Sequence, residues 1–113
     1  MITYKFRTVV TIADLVESDL RIIKGLFSNQ IRKNIDLSKY TLLTTDVVNG
    51  NSDSESEDVD LLIVSGEISS PEMKYSETSE LTLKRSIKTA IQKTLEMDLE
   101  SVANKLSDIV IYK

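Results

Sequence analysis

The sequence predicts a single α+β domain spanning residues 1–113. Three observations carry that reading: a cleanly alternating stretch at residues 2–12, two stretches whose apolar residues recur every three to four positions, and an acid-rich turn between two β-branched runs. At 113 residues the chain can bury one core and no second.

Within residues 2–12, Ile2, Tyr4, Phe6, Val10 and Ile12 share one parity, with Thr8 as the only polar member. Thr3, Lys5, Arg7, Val9 and Thr11 share the other. This contrast marks a strand with one dry and one wet face. From Asp14 the period lengthens: Leu15/Val16, Leu20, Ile22/Ile23, Leu26/Phe27, Ile31 and Ile35 form one helical stripe. Asp14 with Glu17 resembles a capping box, Ser18 offers a later start, and Asp36-Leu37-Ser38 closes the segment. Gly25 costs about 1 kcal/mol inside a helix relative to Ala, which predicts a close backbone contact there.

Residues 40–48 (YTLLTTDVV) and 59–68 (VDLLIVSGEI) read as two strands by their β-branched content. The polar stretch at 49–58 joins them as the long tip of a hairpin. Ser69-Ser70-Pro71 breaks the chain, and Glu72 to Ser76 connects onward. A second helix is predicted from about Thr78 to Leu106, with Leu83, Ile87, Ala90/Ile91, Leu95, Leu99, Val102/Ala103 and Leu106 as its stripe. Asp108 to Tyr112 reads as a last short strand. The order β-α-β-β-α-β, with right-handed crossovers, gives a four-stranded antiparallel sheet of order 4-1-3-2 with two helices on one face. This is the ferredoxin-like plait. That fold hosts many unrelated functions and assigns none by itself.

Composition removes whole classes of chemistry. With no Cys and no His there is no thiolate nucleophile, imidazole base, disulfide or ordinary zinc site. The longest apolar run is four residues, Leu61 to Val64, and the N-terminal MITYKFRTVV lacks a signal-peptide core. The expected location is therefore cytoplasmic or virion-associated. The three glycines (Gly25, Gly50, Gly66) form neither GxGxxG nor a P-loop, and no carboxylate pair has a distinguishing spacing. No enzyme and no cofactor are expected.

The net charge of −4 is uneven: residues 41–80 hold ten acidic side chains against Lys74 alone. The overall sign makes nucleic acid an unexpected partner. The acidic loop, with Asp53, Glu55, Glu57 and Asp58, fails the EF-hand pattern, because Gly50 at position 6 puts Thr45 and Val47 at positions 1 and 3. Its alternatives are a weak divalent-ion or ligand site, or an inhibitory element presented to a basic, nucleic-acid-binding surface. Its commonest role is a solvated connector. The stretch SESEDVDLLIVSGE also resembles the acidic-aliphatic motifs bound by the small ubiquitin-like modifier, although its aliphatic run is read first as a strand of this domain.

One anomaly remains. The third strand is apolar at both parities, Val59, Leu61 and Ile63 at one and Leu62, Val64 and Ile68 at the other, where a sheet covered on one side should alternate. The sequence reading places Val9, Leu62, Val64 and Ile68 on the open face, as an interface. A bulge at Ser65-Gly66 is the internal alternative. The expected function is thus protein–protein association, with a second copy or a basic protein, in an accessory or structural part of a virus, mobile element or larger complex.

Overall fold

A computed structural model describes residues 1–13, 20–49, 59–98, 103–106 and 109–112. The elements run β1 (Ile2–Ala13), α1 (Leu20–Asn34), β2 (Thr41–Asn49), β3 (Val59–Ser70), α2 (Glu77–Lys93), a π turn (Thr94–Asp98), β4 (Ala103–Leu106) and β5 (Val110–Tyr112). The sheet order is β2-β3-β1-β4, with β5 also on β1, and every pairing is antiparallel. Read from the other edge, this is the predicted 4-1-3-2 plait. Its fourth strand is divided in two, β4 opposite Val10–Ile12 and β5 opposite Lys5–Arg7.

The alternation in β1 translates directly into burial: Tyr4, Phe6, Thr8 and Val10 are buried while Lys5 and Arg7 are exposed. Strand β3 pairs with β1 along its whole length, with Tyr4 opposite Ile68, Thr8 opposite Val64 and Val10 opposite Leu62. Directly opposed residues project to the same side of a sheet. Leu62, Val64 and Ile68 therefore join the core, at 1%, 0% and 1% exposure. Only Val9 of the four residues assigned to the open face belongs there, and Leu61 and Ile63 take the place of the other three. The polar residues of β3 mark the same division, since Ser65 and Glu67 share parity with Leu61 and Ile63.

The helices cover the core side. Ile23, Phe27 and Ile31 of α1 and Leu83, Ile87, Ala90 and Ile91 of α2 meet the buried strand residues in one cluster, which Leu95 and Ile109 extend. Burying a large aliphatic or aromatic side chain of this kind contributes about 1.5–3 kcal/mol. Asp36 ends the first helical segment as expected: its carboxylate accepts from the Ser38 N–H (3.0 Å) and hydroxyl (2.5 Å). Ser76 caps α2 by accepting from the Ser79 N–H at 3.3 Å.

Three further expectations change. The second helix stops far short of Leu106: Thr94 turns its hydroxyl back onto the Ala90 carbonyl (2.8 Å), the ladder widens into the π turn, and Ala103–Leu106 pairs with β1 as a strand. Gly25 is exposed, and a Cβ there would meet nothing within 4 Å, so no close contact explains it. The irregularity in the β2–β3 pairing lies between Leu42 and Thr44 of β2, opposite Ile68 and Glu67, and not at the predicted Ser65-Gly66. Gly66 has a different role. A Cβ would run into the Thr44 carbonyl oxygen and stand 2.7 Å from the Phe6 ring, so the side chain is excluded by close packing. The Asp14/Glu17 cap and the acidic residues Asp53, Glu55, Glu57 and Asp58 lie outside the described residues.

Candidate functional site

The uncovered face of the sheet is built in rows that the strand register fixes. Thr44, Glu67, Lys5 and Tyr112 make one row across β2, β3, β1 and β5. Asp46, Ser65, Arg7 and Val110 make the next. Two residues further along, Val48, Ile63 and Val9 stand side by side on three adjacent strands, with Leu61 next on β3 opposite Thr11. The face thus passes from a charged half to an aliphatic half. Val48 is 42% exposed, and Val9, Leu61 and Ile63 are each half-buried.

The charged half carries two cations, Lys5 and Arg7, and two anions, Asp46 and Glu67. With Thr44, Ser65, Gly66 and Tyr112, three of them (Lys5, Asp46 and Glu67) line a shallow depression of about 160 Å³. A larger groove of about 390 Å³ runs between α2 and β5. Its walls are Leu81, Ile109, Val110 and Ile111, and its rim holds Glu77, Glu80 and Lys84.

A polar network closes one end of the core. Tyr4 is buried beneath the connector that leads to α2 and meets Tyr75 edge-on, with ring centroids 5.3 Å apart. Its phenolic oxygen accepts from the Ser76 N–H (3.0 Å) and donates to Glu72 Oε1 (3.5 Å). The Ser70 hydroxyl also donates to Glu72 Oε1 (2.9 Å), and the Tyr75 hydroxyl donates to the Thr3 carbonyl (3.2 Å). Hydrogen bonds from the Ser79 and Ser70 side chains hold the Glu72 carboxyl below its ordinary range. Burial, foremost, pushes the Tyr4 phenol up. The two shifts favour the carboxylate of Glu72 and the neutral phenol of Tyr4, the acceptor and donor that a structural clasp over the helix start requires.

The sequence placed Tyr4 on the dry side of a strand and Ser70, Glu72 and Ser76 in a break and connector, without bringing them together. The only signal of the network was the density of Ser, Tyr and Glu at residues 69–79. The structure does bring Val9 together with the aliphatic residues of β3, at the opposite parity from that expected. Among the described residues no three carboxylates gather as they would around a metal ion. No described helix is long and apolar enough to cross a membrane.

No family model matches the chain. No curated protein matches it either. Among solved structures, it is similar to a hydantoinase/carbamoylase family amidase from Burkholderia ambifaria (TM-score 0.50, 6% identity), over 97% of this chain and 27% of that one. It also overlays on an amidase of the same family from Burkholderia multivorans (TM-score 0.43, 8% identity), over 98% of this chain and 28% of that one. The chain therefore spans just over a quarter of the length of these structures. At such identity the first likeness concerns the fold alone: an α+β unit of this architecture also occurs as a portion of an amidase chain.

Proposed function

We propose that this chain is a non-enzymatic protein–protein association module that joins a second copy of itself through the open face of its sheet. Its setting is an accessory or structural part of a virus, a mobile element or a larger complex. The observation that carries the reading is the aliphatic row Val48, Ile63 and Val9, extended by Leu61, on the face that neither helix covers. Two sheets packed face to face interdigitate such rows.

The rest of that face favours a second copy over a partner of one charge sign. Lys5 and Arg7 balance Asp46 and Glu67. A two-fold rotation can then set the cations of each copy against the anions of the other, as an isologous interface requires. The groups best placed for acid–base chemistry, Tyr4 and Glu72, are engaged in closing the fold.

Light scattering tests the reading. The wild type at about 100 µM, where a micromolar contact is nearly saturated, should run as a dimer or larger. Ile63→Lys should run as a monomer with an unchanged circular dichroism spectrum. A wild type that stays monomeric at that concentration overturns the proposal.

A further inference from the structure

The helical layer carries a charge that the sequence total hides. Residues 20–34 contain Arg21, Lys24, Arg32 and Lys33 and no carboxylate. Residues 81–95 contain Lys84, Arg85, Lys88 and Lys93 and again no carboxylate, the two acids of α2, Glu77 and Glu80, lying in its first turn. These two segments hold eight cations while the whole chain has a net charge of −4, so the remaining residues together carry −12. All eight are exposed except Lys84, which is half-buried. The apolar stripes of both helices are turned into the core, so the cations lie on the side away from the sheet. Lys93 Nζ donates to Asn34 Oδ1 at 3.4 Å, which ties the last residues of the two helices together and brings Lys93 to the Arg32-Lys33 pair of α1.

We infer that this two-helix surface docks on the phosphate backbone of duplex DNA, independently of the sheet face. A concentrated run of cations without interspersed anions is the electrostatic footprint of a polyanion partner. Between Lys24 and Arg32 on α1 and between Lys88 and Lys93 on α2 the exposed residues are small or hydrogen-bonding: Gly25 and Asn29, Thr89 and Gln92. Such residues allow close approach and supplementary contacts to phosphate oxygens. The two segments expose one large hydrophobe each, Ile22 and Leu81, fewer than the continuous apolar face that insertion into a lipid interface requires. The only aromatic residue of either helix, Phe27, is fully buried, so no platform for stacking unpaired bases is offered. The B-form major groove admits a helix and its flanking cations, whereas the A-form groove of RNA is too narrow.

Fluorescence anisotropy with a 20-base-pair DNA duplex, titrated at 50 and 200 mM salt, tests the assignment. The wild type should bind saturably at 50 mM salt and weaken steeply at 200 mM. The combined variant Arg32→Gln, Lys33→Gln, Arg85→Gln, Lys88→Gln should lose at least ~10-fold in affinity. Its slope of log K against log salt should be shallower by up to roughly 3–4, about 0.9 for each phosphate contact removed. Lys74→Gln, a cation on the connector outside both helices, should bind as the wild type does. Circular dichroism melts of each variant verify the fold.

Several results overturn the inference. One is a wild type that fails to bind at 50 mM salt, and another is a combined variant that binds equally well. Competition by polyglutamate as effective as by duplex would assign the surface to an acidic protein. Tighter retention on phosphatidylserine vesicles would assign it to a membrane. An RNA duplex bound as tightly as the DNA would remove the B-form groove from the explanation.

Discussion

Strand β3 offers two faces of nearly the same composition and opposite fate. Leu62, Val64 and Ile68 disappear into the core, while Leu61 and Ile63, one residue out of step, stay half-accessible beside Val9 and Val48. Aliphatic character alone does not decide which set is buried. The decision is made by register against β1, whose own alternation is unambiguous, because opposed residues must share a side.

The sharpest break of that comparison is a lysine placed on each face in turn. Leu62→Lys puts a charge into the core with no partner and should cost more than about 4 kcal/mol, enough to prevent folding in a domain of ordinary stability. At a protein concentration low enough to keep the wild type monomeric, Ile63→Lys should stay within about 1 kcal/mol of it. Urea denaturation of the two variants decides the matter, and similar losses at both positions would mean that both faces are covered. Next in size is Gly66→Ala. Its methyl group meets the Phe6 ring and the Thr44 carbonyl, so a loss of about 1–3 kcal/mol is expected.

Smaller effects sharpen the picture of the dry face. The Thr45 hydroxyl is buried without a hydrogen-bond partner among the described residues, so Thr45→Val should raise stability by about 1 kcal/mol. An unchanged or lower melting temperature would show that the hydroxyl is satisfied. The smallest effect is a pH dependence. Glu72 is held ionised in the fold, so the stability it supplies is present above its unfolded-state pKa, about 4.3, and is lost as pH falls through the lower folded-state value. Melting curves from pH 7 to pH 3 should show a shallower acid decline for Glu72→Gln than for the wild type. Tyr4 acts with the opposite sign: its contribution holds below about pH 10 and is lost as pH rises through its raised folded-state value.

Much of the fold was legible because β1 alternates without ambiguity and both helices carry regular stripes. Sheet order followed from element order and crossover handedness. The end of α2 was not legible: the stripe through Leu99, Val102 and Leu106 continues in period, and nothing local announces that Thr94 will bond back to Ala90. The face of β3 was misjudged for want of register, although Ser65 and Glu67 already marked its wet parity. The helical cations were visible one by one, but summing charge over the chain cancelled them against the acidic residues outside positions 20–34 and 81–95. Gly25 suggested a contact that the structure does not contain. Gly25→Ala should accordingly stabilise α1 by up to about 1 kcal/mol, as a thermal melt will show.

The pairing of β1 has a kinetic consequence. This strand stands at the centre of the sheet, yet it has no partner close to it in sequence: Ile2–Ala13 must wait for Val59–Ser70 on one edge, and Lys5 must wait for Tyr112 on the other. Of the sheet ladders, only β2 with β3 is a hairpin, and it can zip early. Each remaining ladder closes a long loop before any contact rewards the lost entropy. Refolding from urea should therefore be slow for a chain of this length, on the order of milliseconds to seconds. During synthesis, β1 leaves the ribosome ahead of every strand it pairs with and is the last to find both its neighbours.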